Sequence, residues 1–219
     1  MKFMEVVMVT RARGFLGAVL LSFLLAGCGG GGGGGGLDNN DPGLNDLNVV
    51  VAFGDSLTQG SECSCTSYPD RLASLIAKTV VNTGVSGTLA AENVGRVQSA
   101  IDRFHPAFML ILYGVNDLIH GADVTTVGSA LDQMVEICKQ NNVVPVLATY
   151  PEPILDHVGF ALRTLTFNQH IREIASARDI RCVDLEAEFG ADPLLYEADG
   201  LHPNDAGTQI MALAFADLF

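Results

Sequence analysis

The sequence contains a serine, a histidine and an aspartate in contexts that could support nucleophilic catalysis. Ser56 lies in a Gly-Asp-Ser-Leu turn directly after the apolar run Leu47–Phe53. Asp199 and His202 stand three residues apart near the other end of the chain. A serine hydroxyl is a weak nucleophile until an imidazole takes its proton, and a carboxylate can orient that imidazole. These residue types therefore predict acyl transfer through a covalent intermediate.

Two further blocks could stabilise the negative charge that develops on a substrate oxygen. Asn116 follows the apolar run Ala107–Tyr113, and Gly87 ends the segment Asn82–Gly87, whose two glycines leave backbone N–H groups accessible. Losing one positioned donor of this kind costs roughly 3 kcal/mol of transition-state stabilisation. Asn116 and Asp117 could instead cap the helix that begins near Asp123 or close a turn, and each block alone is common. Four blocks in one chain favour the catalytic interpretation.

The apolar patterning predicts the scaffold that would bring these residues together. Five short runs rich in Val, Ile and Leu predict buried parallel strands, at Leu47–Phe53, Thr79–Asn82, Ala107–Tyr113, Val143–Thr149 and Ile180–Leu185. Helical spacing predicts five helices, from Ser67, over Leu89–Phe104, from Val124 to Cys138, over Leu162–Arg178 and over Pro203–Leu218. Alternating strands and helices predict a parallel sheet covered on both faces, with ligands at the carboxyl ends of its strands.

Two helix starts carry specific signals. Ser67 is a typical N-cap with Asp70 three residues on, and the apolar face of that helix would comprise Leu72, Leu75, Ile76 and Thr79. Pro203 suits the first turn of the last helix, which would place His202 at or beside the helix start.

These four blocks, in this order, resemble the GDSL or SGNH family of serine hydrolases, and the resemblance covers essentially all of residues 47–219. It implies a flavodoxin-like three-layer α/β/α sandwich with five parallel strands. It also implies that Ser56 is the nucleophile and His202 the base, oriented by Asp199. The chain is similar in size to small bacterial members with thioesterase, lysophospholipase or arylesterase activity.

The resemblance further implies an oxyanion hole formed by the backbone N–H groups of Ser56 and Gly87 and the side-chain amide of Asn116. Val115 departs from the small residue that many relatives have there, and we expect it to narrow the space beside the oxyanion hole. The absence of a GxSxG motif argues against the larger α/β-hydrolase fold.

Residues 1–27 have the pattern of an export signal. A basic start precedes the apolar run Phe15–Leu25, which is short for a membrane span of about 20 residues. The run ends in Leu-Ala-Gly-Cys at Cys28, which resembles the lipobox of bacterial lipoproteins and implies a lipidated Cys28. Residues 28–46 contain eight consecutive glycines and predict a flexible tether, followed by the hydrolase domain at 47–219. A simple signal peptide with an incidental cysteine is the alternative.

Removing the leader makes the chain more acidic. Residues 1–27 contain Lys2, Arg11, Arg13 and Glu5, so their loss moves the net charge from −13 to −15. Such a chain is not expected to bind nucleic acid, nor to adhere by charge to an anionic membrane. Gly29, rather than Asp, after the cysteine resembles lipoproteins sorted to an outer membrane. We therefore expect a lipid-anchored protein of the bacterial cell envelope, facing the periplasm or the surface.

The remaining cysteines and histidines predict no cofactor. Four cysteines stay after lipidation, Cys63, Cys65, Cys138 and Cys182, and their pairing is left open between a small Cys63–Cys65 ring, bridges to the other two, and no bridge. The other histidines, His105, His120, His157 and His170, show no metal-binding spacing, so no metal is expected.

The predicted substrate is a small acyl ester. Ile154, Leu155, Val158 and Phe160, with Leu194, Leu195 and Tyr196, could form an apolar groove for an acyl chain or could simply pack in loops. We expect hydrolysis of short- to medium-chain esters, with lysophospholipids and acyl thioesters as further candidates. A carbohydrate O-deacetylase and a non-catalytic binding lipoprotein are the alternatives, and the oligomeric state stays open.

Overall fold

The computed structural model describes residues 41–219, built around a five-stranded parallel sheet in the order β2-β1-β3-β4-β5. The strands are β1 (Asp46–Gly54), β2 (Thr79–Asn82), β3 (Pro106–Leu112), β4 (Val144–Ala148) and β5 (Arg181–Val183). All five predicted strands are present, and the predicted α/β fold class is confirmed. The predicted signal peptide, Cys28 and the glycine tract lie outside the described residues.

The helices of residues 41–219 are α1 (Ser56–Gln59), α2 (Tyr68–Ile76), α3 (Ala90–Phe104), α4 (Val115–Ile119), α5 (Val124–Gln140), α6 (Ala161–Arg178), α7 (Leu185–Phe189) and α8 (Asp205–Ala216). Two 3₁₀ turns, Leu155–Phe160 and Pro193–Leu195, complete the connections. None of these helices combines the length and apolarity that crossing a bilayer requires.

The strand order explains the three layers. The chain passes from β1 to the edge strand β2 through α2, and then returns past β1 to β3 through α3. Because such crossovers are right-handed, the reversal places α2 and α3 on opposite faces of the sheet. Helices α5 and α6 follow α3 on its face, whereas α8 packs on α2. The reversal also leaves a crevice between β1 and β3, where ligands bind in open sheets of this kind.

The core lies on both faces of the central strands. Residues 50–53 of β1 have no exposed surface, and most of β3 and β4 is equally buried. Tyr68 of α2 stacks on Phe215 of α8 with ring centroids 4.9 Å apart, which joins the two helices of one outer layer. Burial of such large side chains is the main force that holds the layers together.

The second helix begins where predicted but ends earlier. The Ser67 hydroxyl oxygen accepts a hydrogen bond from the N–H of Asp70, which confirms the predicted N-cap. The helix ends at Ile76, Ala77 takes a left-handed conformation, and Thr79 already belongs to β2. The prediction that Thr79 shares the helical face is therefore wrong, because the connection to the strand is only two residues long.

The last helix begins two residues later than predicted. Asn204 is its N-cap, and its side-chain oxygen accepts two N–H groups of the first turn at 3.0 and 3.1 Å. Pro203 precedes that cap and forms an isolated β-bridge with Tyr196, so its predicted place in the first turn is wrong. A side chain that satisfies two otherwise unpaired N–H groups sets the boundary more strongly than a proline does.

The folded part begins slightly before residue 47. Strand β1 starts at Asp46, and the Asn45 side-chain amide donates to the carbonyl oxygens of Asn141 and Asn142, both at 2.9 Å. Asn45 and Asp46, at the end of the predicted tether over residues 28–46, are therefore anchored to the domain.

Candidate active site

Ser56, His202 and Asp199 form a hydrogen-bonded row at the carboxyl end of β1. The Ser56 hydroxyl Oγ lies 2.9 Å from Nε2 of His202, and the other ring nitrogen, Nδ1, lies 2.6 Å from Oδ2 of Asp199. A carboxylate only accepts, so Nδ1 carries the proton and Nε2 is left to accept from Ser56. The structure thus brings together the three residues predicted to form the catalytic triad.

The turn after β1 presents Ser56 at the sheet edge. Ser56 is the first residue of α1, and the Asp55 side chain caps that helix by accepting from the N–H of Leu57 at 3.1 Å. A side chain on Gly54 would collide with Thr58 and with the carbonyl of Leu112, so the close approach of β1 and β3 here requires glycine. Because Ser56 lies in the first turn of α1, its backbone N–H has no acceptor within the helix.

The loop that carries Asp199 orients its carboxylate. Burial raises the pKa of Asp199, but hydrogen bonds from the His202 ring and from the N–H groups of Leu201 and His202 outweigh it and hold the pKa below its usual range. The loop is itself anchored, because Ile154 N–H donates to the carbonyl of Gly200 and His157 Nδ1 donates to that of Asp199, both at 2.8 Å. Because the Asp199 carboxylate is ionised and held in place, it can stabilise a protonated imidazole.

The glycine-rich loop, residues 83–88, is bound to the end of β1. Val85 N–H donates to the carbonyl of Gly54 at 3.0 Å, and Ser86 N–H donates to the Gln59 side chain at 2.6 Å. A side chain on Gly84 would collide with the backbone of α1, and Gly87 has a φ of +73°. The Gly87 N–H donates to no group within residues 41–219. It is therefore available to a ligand.

Asn116 is tied to the same loop. Its side-chain Nδ2 donates to the carbonyl of Thr88 at 3.2 Å, which uses one of its two hydrogens. The neighbouring Asp117 accepts from the N–H of Ala90 at 2.9 Å and so caps α3, while Asp123 caps the following helix α5. Burial raises the pKa of Asp117. The alternative that Asn116 and Asp117 cap the helix near Asp123 is therefore wrong, because Asp123 itself caps it, and the Asn116 amide faces the loop.

Val115 is the first residue of α4 and directly precedes Asn116. Its side chain is only 1% exposed and belongs to the hydrophobic core. The expected narrowing of the space beside the oxyanion hole stays a prediction.

A narrow crevice lies between Ser56 and the cysteine loop, residues 60–67. It measures about 10 Å³, room for roughly one water molecule, and its lining comprises Ser56, Leu57, Gly60, Glu62, Cys63, His202, Pro203 and Thr208. Cys63 is disulfide-bonded to Cys65, whereas Cys138 and Cys182 are free thiols. Of the pairings that the sequence left open, the structure has the small ring, at the edge of this crevice.

The residues predicted to line an apolar groove do not act as one set. Leu155 and Val158 are 54% and 62% exposed in the 3₁₀ turn beside the Asp199 loop. Tyr196 instead is buried, packs edge-on against Phe189 at 5.3 Å and donates to the carbonyl of Glu152. Packing in the core therefore accounts for Tyr196, whereas Leu155 and Val158 are exposed next to the loop that carries Asp199.

Sequence reasoning missed two tyrosines beside the site. The Tyr150 hydroxyl donates to the buried carboxylate of Asp55 at 2.6 Å, and the Tyr113 hydroxyl contacts the glycine-rich loop through Thr88 at 2.9 Å. Both tyrosines come immediately after or within two residues of a strand end, at β3 and β4. A polar aromatic residue at the carboxyl end of a buried strand was the signal that could have revealed them.

The other histidines have separate surroundings. His120 Nδ1 donates to the carbonyl of Asn116 at 2.8 Å, and His170 lies 3.4 Å from Glu173. Among residues 41–219, no three His, Cys, Asp or Glu side chains are grouped in a way that could hold a metal ion.

A model of the GDSL-like Lipase/Acylhydrolase family matches residues 52–210 of this chain. The match spans nearly the whole folded part and includes all four blocks. The chain therefore belongs to the GDSL-like lipase/acylhydrolase family.

Individual relatives are distant. The chain is 27% identical over 110 residues to an arylesterase of Vibrio mimicus, which covers 47% of this chain and 55% of that protein, so the chain spans about half the length of this relative. A member of the lipolytic G-D-S-L family from Veillonella parvula DSM 2008 superposes with a TM-score of 0.68 at 21% identity, covering 78% of this chain and 97% of that one. The acetyl xylan esterase AlAXEase superposes with a TM-score of 0.67 at 20% identity, covering 78% and 98%. At these identities the structures establish the fold.

Proposed function

We propose that this chain hydrolyses short- to medium-chain acyl esters through an acyl-enzyme on Ser56, with His202 as general base and Asp199 as the acid that orients it. The observation that carries the proposal is the row of two hydrogen bonds, 2.9 Å from Ser56 to His202 and 2.6 Å from His202 to Asp199. These lengths lie within the reach that proton transfer from a serine to an imidazole requires.

In the proposed reaction, Ser56 Oγ attacks the ester carbonyl carbon while Nε2 of His202 takes its proton. The carbonyl oxygen becomes an oxyanion, stabilised by the N–H groups of Ser56 and Gly87 and by the free amide hydrogen of Asn116. Asp199 accepts from Nδ1 and stabilises the imidazolium for the lifetime of the intermediate.

Collapse of this intermediate breaks the bond to the leaving alcohol, which takes its proton from Nε2 of His202. A water molecule then attacks the acyl-Ser56 ester, and the same imidazole removes the proton of that water. The second tetrahedral intermediate releases the carboxylic acid and returns the proton to Ser56. The loop from Asp199 to His202 is held at several points, which suits it to both transfers.

The test uses Ser56→Ala and a series of p-nitrophenyl esters with acyl chains of about two to twelve carbons. Because the hydroxyl forms the acyl-enzyme, Ser56→Ala should lower kcat by at least about 10³-fold. If an apolar surface beside the site binds the chain, kcat/KM rises up to about fourfold for each added methylene, the equivalent of ~0.8 kcal/mol. Hydrolysis that persists in Ser56→Ala would show that the nucleophile is another group.

A carbohydrate O-deacetylase is the second candidate. The crevice beside Ser56 and His202 holds only about one water molecule, which favours a small acyl group. The fold is also shared with the acetyl xylan esterase AlAXEase. A kcat/KM that is highest for the acetyl ester and falls with chain length, together with release of acetate from an acetylated polysaccharide, would favour this candidate.

We further propose that the chain is a lipoprotein of the bacterial cell envelope, anchored through Cys28. The support is the Leu-Ala-Gly-Cys sequence after an apolar run, followed by the glycine tract. The strong excess of acidic residues in the mature chain gives a surface that an anionic membrane repels, so a lipid anchor would supply the attachment.

A further inference from the structure

A chain of hydrogen bonds leads from an arginine on α3 to the loop that carries Gly87. Arg96 donates through Nη2 to the carbonyl oxygen of Thr83 at 2.7 Å and through Nη1 to the Tyr113 hydroxyl at 3.0 Å. The Tyr113 hydroxyl lies 2.9 Å from Oγ1 of Thr88. One network therefore holds both ends of the glycine-rich loop.

The direction of these bonds follows from the protons available. Thr88 Oγ1 donates its single proton to the carbonyl of Val85 at 2.7 Å, so it accepts from Tyr113. Tyr113 accepts in turn from Arg96, which has only donors. Burial raises the pKa of the Tyr113 hydroxyl, so the phenol keeps the proton that it donates. The guanidinium charge strengthens its bond to Tyr113 and polarises the next one.

Thr88 is where this network reaches the proposed oxyanion donors. Its carbonyl oxygen accepts from Nδ2 of Asn116 at 3.2 Å, and its backbone continues directly from Gly87. The bond from Asn116 fixes one amide hydrogen and leaves the other for a substrate oxygen. A displacement of Thr88 would therefore move both donors.

Arg96 also differs from the arginines that hold the layers together. Three of those pair with carboxylates, namely Arg71, Arg172 and Arg178. Within residues 41–219 no carboxylate pairs with Arg96, although the chain has 25 acidic residues against 12 basic ones. Its guanidinium lies over the Phe53 ring at 5.3 Å, and its donors go to neutral oxygen atoms at the edge of the site. The positive charge is thus directed towards the loop.

We propose that Arg96 and Tyr113 are positioning residues for ester hydrolysis, which hold the Gly87 N–H and the Asn116 amide where the oxyanion develops. This inference rests on the proposed function, in which those two groups stabilise the tetrahedral intermediate. Neither Arg96 nor Tyr113 has a hydrogen bond to Ser56: Tyr113 acts through Thr88, and Arg96 acts through Tyr113 and Thr83.

The test compares Tyr113→Phe, Arg96→Lys and Arg96→Met with the unmodified full chain and with Arg178→Met as a matched control. Tyr113→Phe removes one oxygen atom and keeps the ring, whose centroid lies 5.3 Å from that of Phe53. Arg178 binds two carboxylates of α5 from the last turn of α6, which leads towards the amino end of β5, at the opposite edge of the sheet. Thermal unfolding establishes that each variant is folded at the assay temperature.

We expect kcat for p-nitrophenyl acetate to fall about 10- to 100-fold in Tyr113→Phe, with KM within about threefold, because the lost stabilisation is confined to the transition state. Affinity for a boronic acid that forms a tetrahedral adduct on Ser56 should fall by a similar factor. Arg96→Lys should keep more of the kcat than Arg96→Met, because a lysine retains the charge and a donor.

Each other outcome is decisive. Unchanged kcat and boronate affinity in Tyr113→Phe, with Ser56→Ala inactive, overturn this proposal and leave the proposed function intact. Activity that persists in Ser56→Ala overturns both. A loss of kcat in Arg178→Met equal to that in Arg96→Met assigns the effect to general destabilisation and overturns the positioning role. If Arg96→Met does not fold, Tyr113→Phe and Arg96→Lys decide the question.

Discussion

Asp55 caps helix α1, yet burial of its carboxylate opposes the stability of the fold at neutral pH. Its side chain is fully buried, accepts from the Tyr150 hydroxyl at 2.6 Å and from the Leu57 N–H at 3.1 Å, and lies next to Ser56 in the sequence. Burial outweighs these hydrogen bonds and raises the pKa of Asp55 to about 6 from its usual 3.8. The folded state therefore favours the protonated carboxyl.

Asp55→Asn should stabilise the protein at neutral pH. The contribution of a carboxyl with a raised pKa is fully present below about pH 3.8 and is lost as the pH rises to about 6. At pH 7 the buried carboxylate then costs about 3 kcal/mol, since one pKa unit corresponds to about 1.36 kcal/mol. The asparagine oxygen can still accept from the Leu57 N–H, and its amide group can donate to the Tyr150 hydroxyl. The free energy of unfolding of the variant should therefore exceed that of the unmodified protein by up to this amount above pH 6.

Urea unfolding of both proteins between about pH 4 and 7 measures this difference. Asp102→Asn, at an exposed position of α3, gives the background effect of removing one negative charge from an acidic chain. A difference between Asp55→Asn and the unmodified protein that does not grow with pH would contradict the assignment.

At the scale of elements, the cysteine loop connects three parts of the site. Cys63 lines the crevice with Ser56, and the Thr208 hydroxyl oxygen of α8 lies 3.9 Å from Cys65 Sγ. Glu62 in the same loop accepts from the Ser86 hydroxyl of the glycine-rich loop at 3.2 Å. The disulfide thus limits the positions of a loop that contacts both the nucleophile side and the base side of the site.

The double variant Cys63→Ser/Cys65→Ser should lower the free energy of unfolding only modestly. The bridge spans two residues of sequence, so the loss of loop-closure entropy is roughly 1–2 kcal/mol. We expect KM to change more than kcat, because the bridge borders the crevice and contacts none of the proposed oxyanion donors. Urea unfolding and steady-state kinetics test this, with the unmodified protein under dithiothreitol as the matched comparison. A loss of kcat above about tenfold would mean that the loop takes part in positioning Ser56 or His202.

The elements differ in how well sequence alone predicts them. The strands were predictable because buried parallel strands are continuous apolar runs, as in β3 and β4. Ends were less predictable, because they depend on single capping contacts. Asn204 rather than Pro203 starts α8, and Asp184 ends the last strand early by capping α7.

The residues of the site also differ in how well sequence alone predicts them. Ser56, Asn116, Asp199 and His202 were predictable, since each lies in a short motif at the carboxyl end of a strand or before the last helix. Arg96 was not, because its contacts to Thr83 and Tyr113 arise from the packing of α3 on the sheet and have no local pattern. Contacts made by side chains across elements need coordinates.

At the scale of the whole molecule, charge and attachment are linked. The predicted mature chain has a net charge of −15. Negative protein surfaces are repelled by anionic lipid headgroups. In the lipoprotein that we propose, acyl chains on Cys28 and not surface charge would hold the chain at the membrane.

Cys28→Ser should release the protein into the soluble fraction of cells that process lipoproteins. Acyl chains hold through burial of methylene groups, so we expect high salt to leave the unmodified protein on the membrane. Cys182→Ser, which changes a free thiol of the folded part, is the matched control and should stay on the membrane. Unchanged fractionation of Cys28→Ser would mean that another segment attaches the chain.

The packing of α8 on α2 bears on when a newly synthesised chain can become active. Tyr68 stacks on Phe215, and Arg71 donates to Gln209 at 2.9 Å, so these contacts deliver His202 to a serine 146 residues earlier in the chain. A nascent or truncated polypeptide that lacks the last helix still contains His202, but it lacks the packing that holds His202 beside Ser56. Newly made chains would stay harmless to the esters of the compartment in which they are synthesised, and turnover would begin only with the final folding step. Enzymatic activity would then indicate that the chain is intact through its last helix.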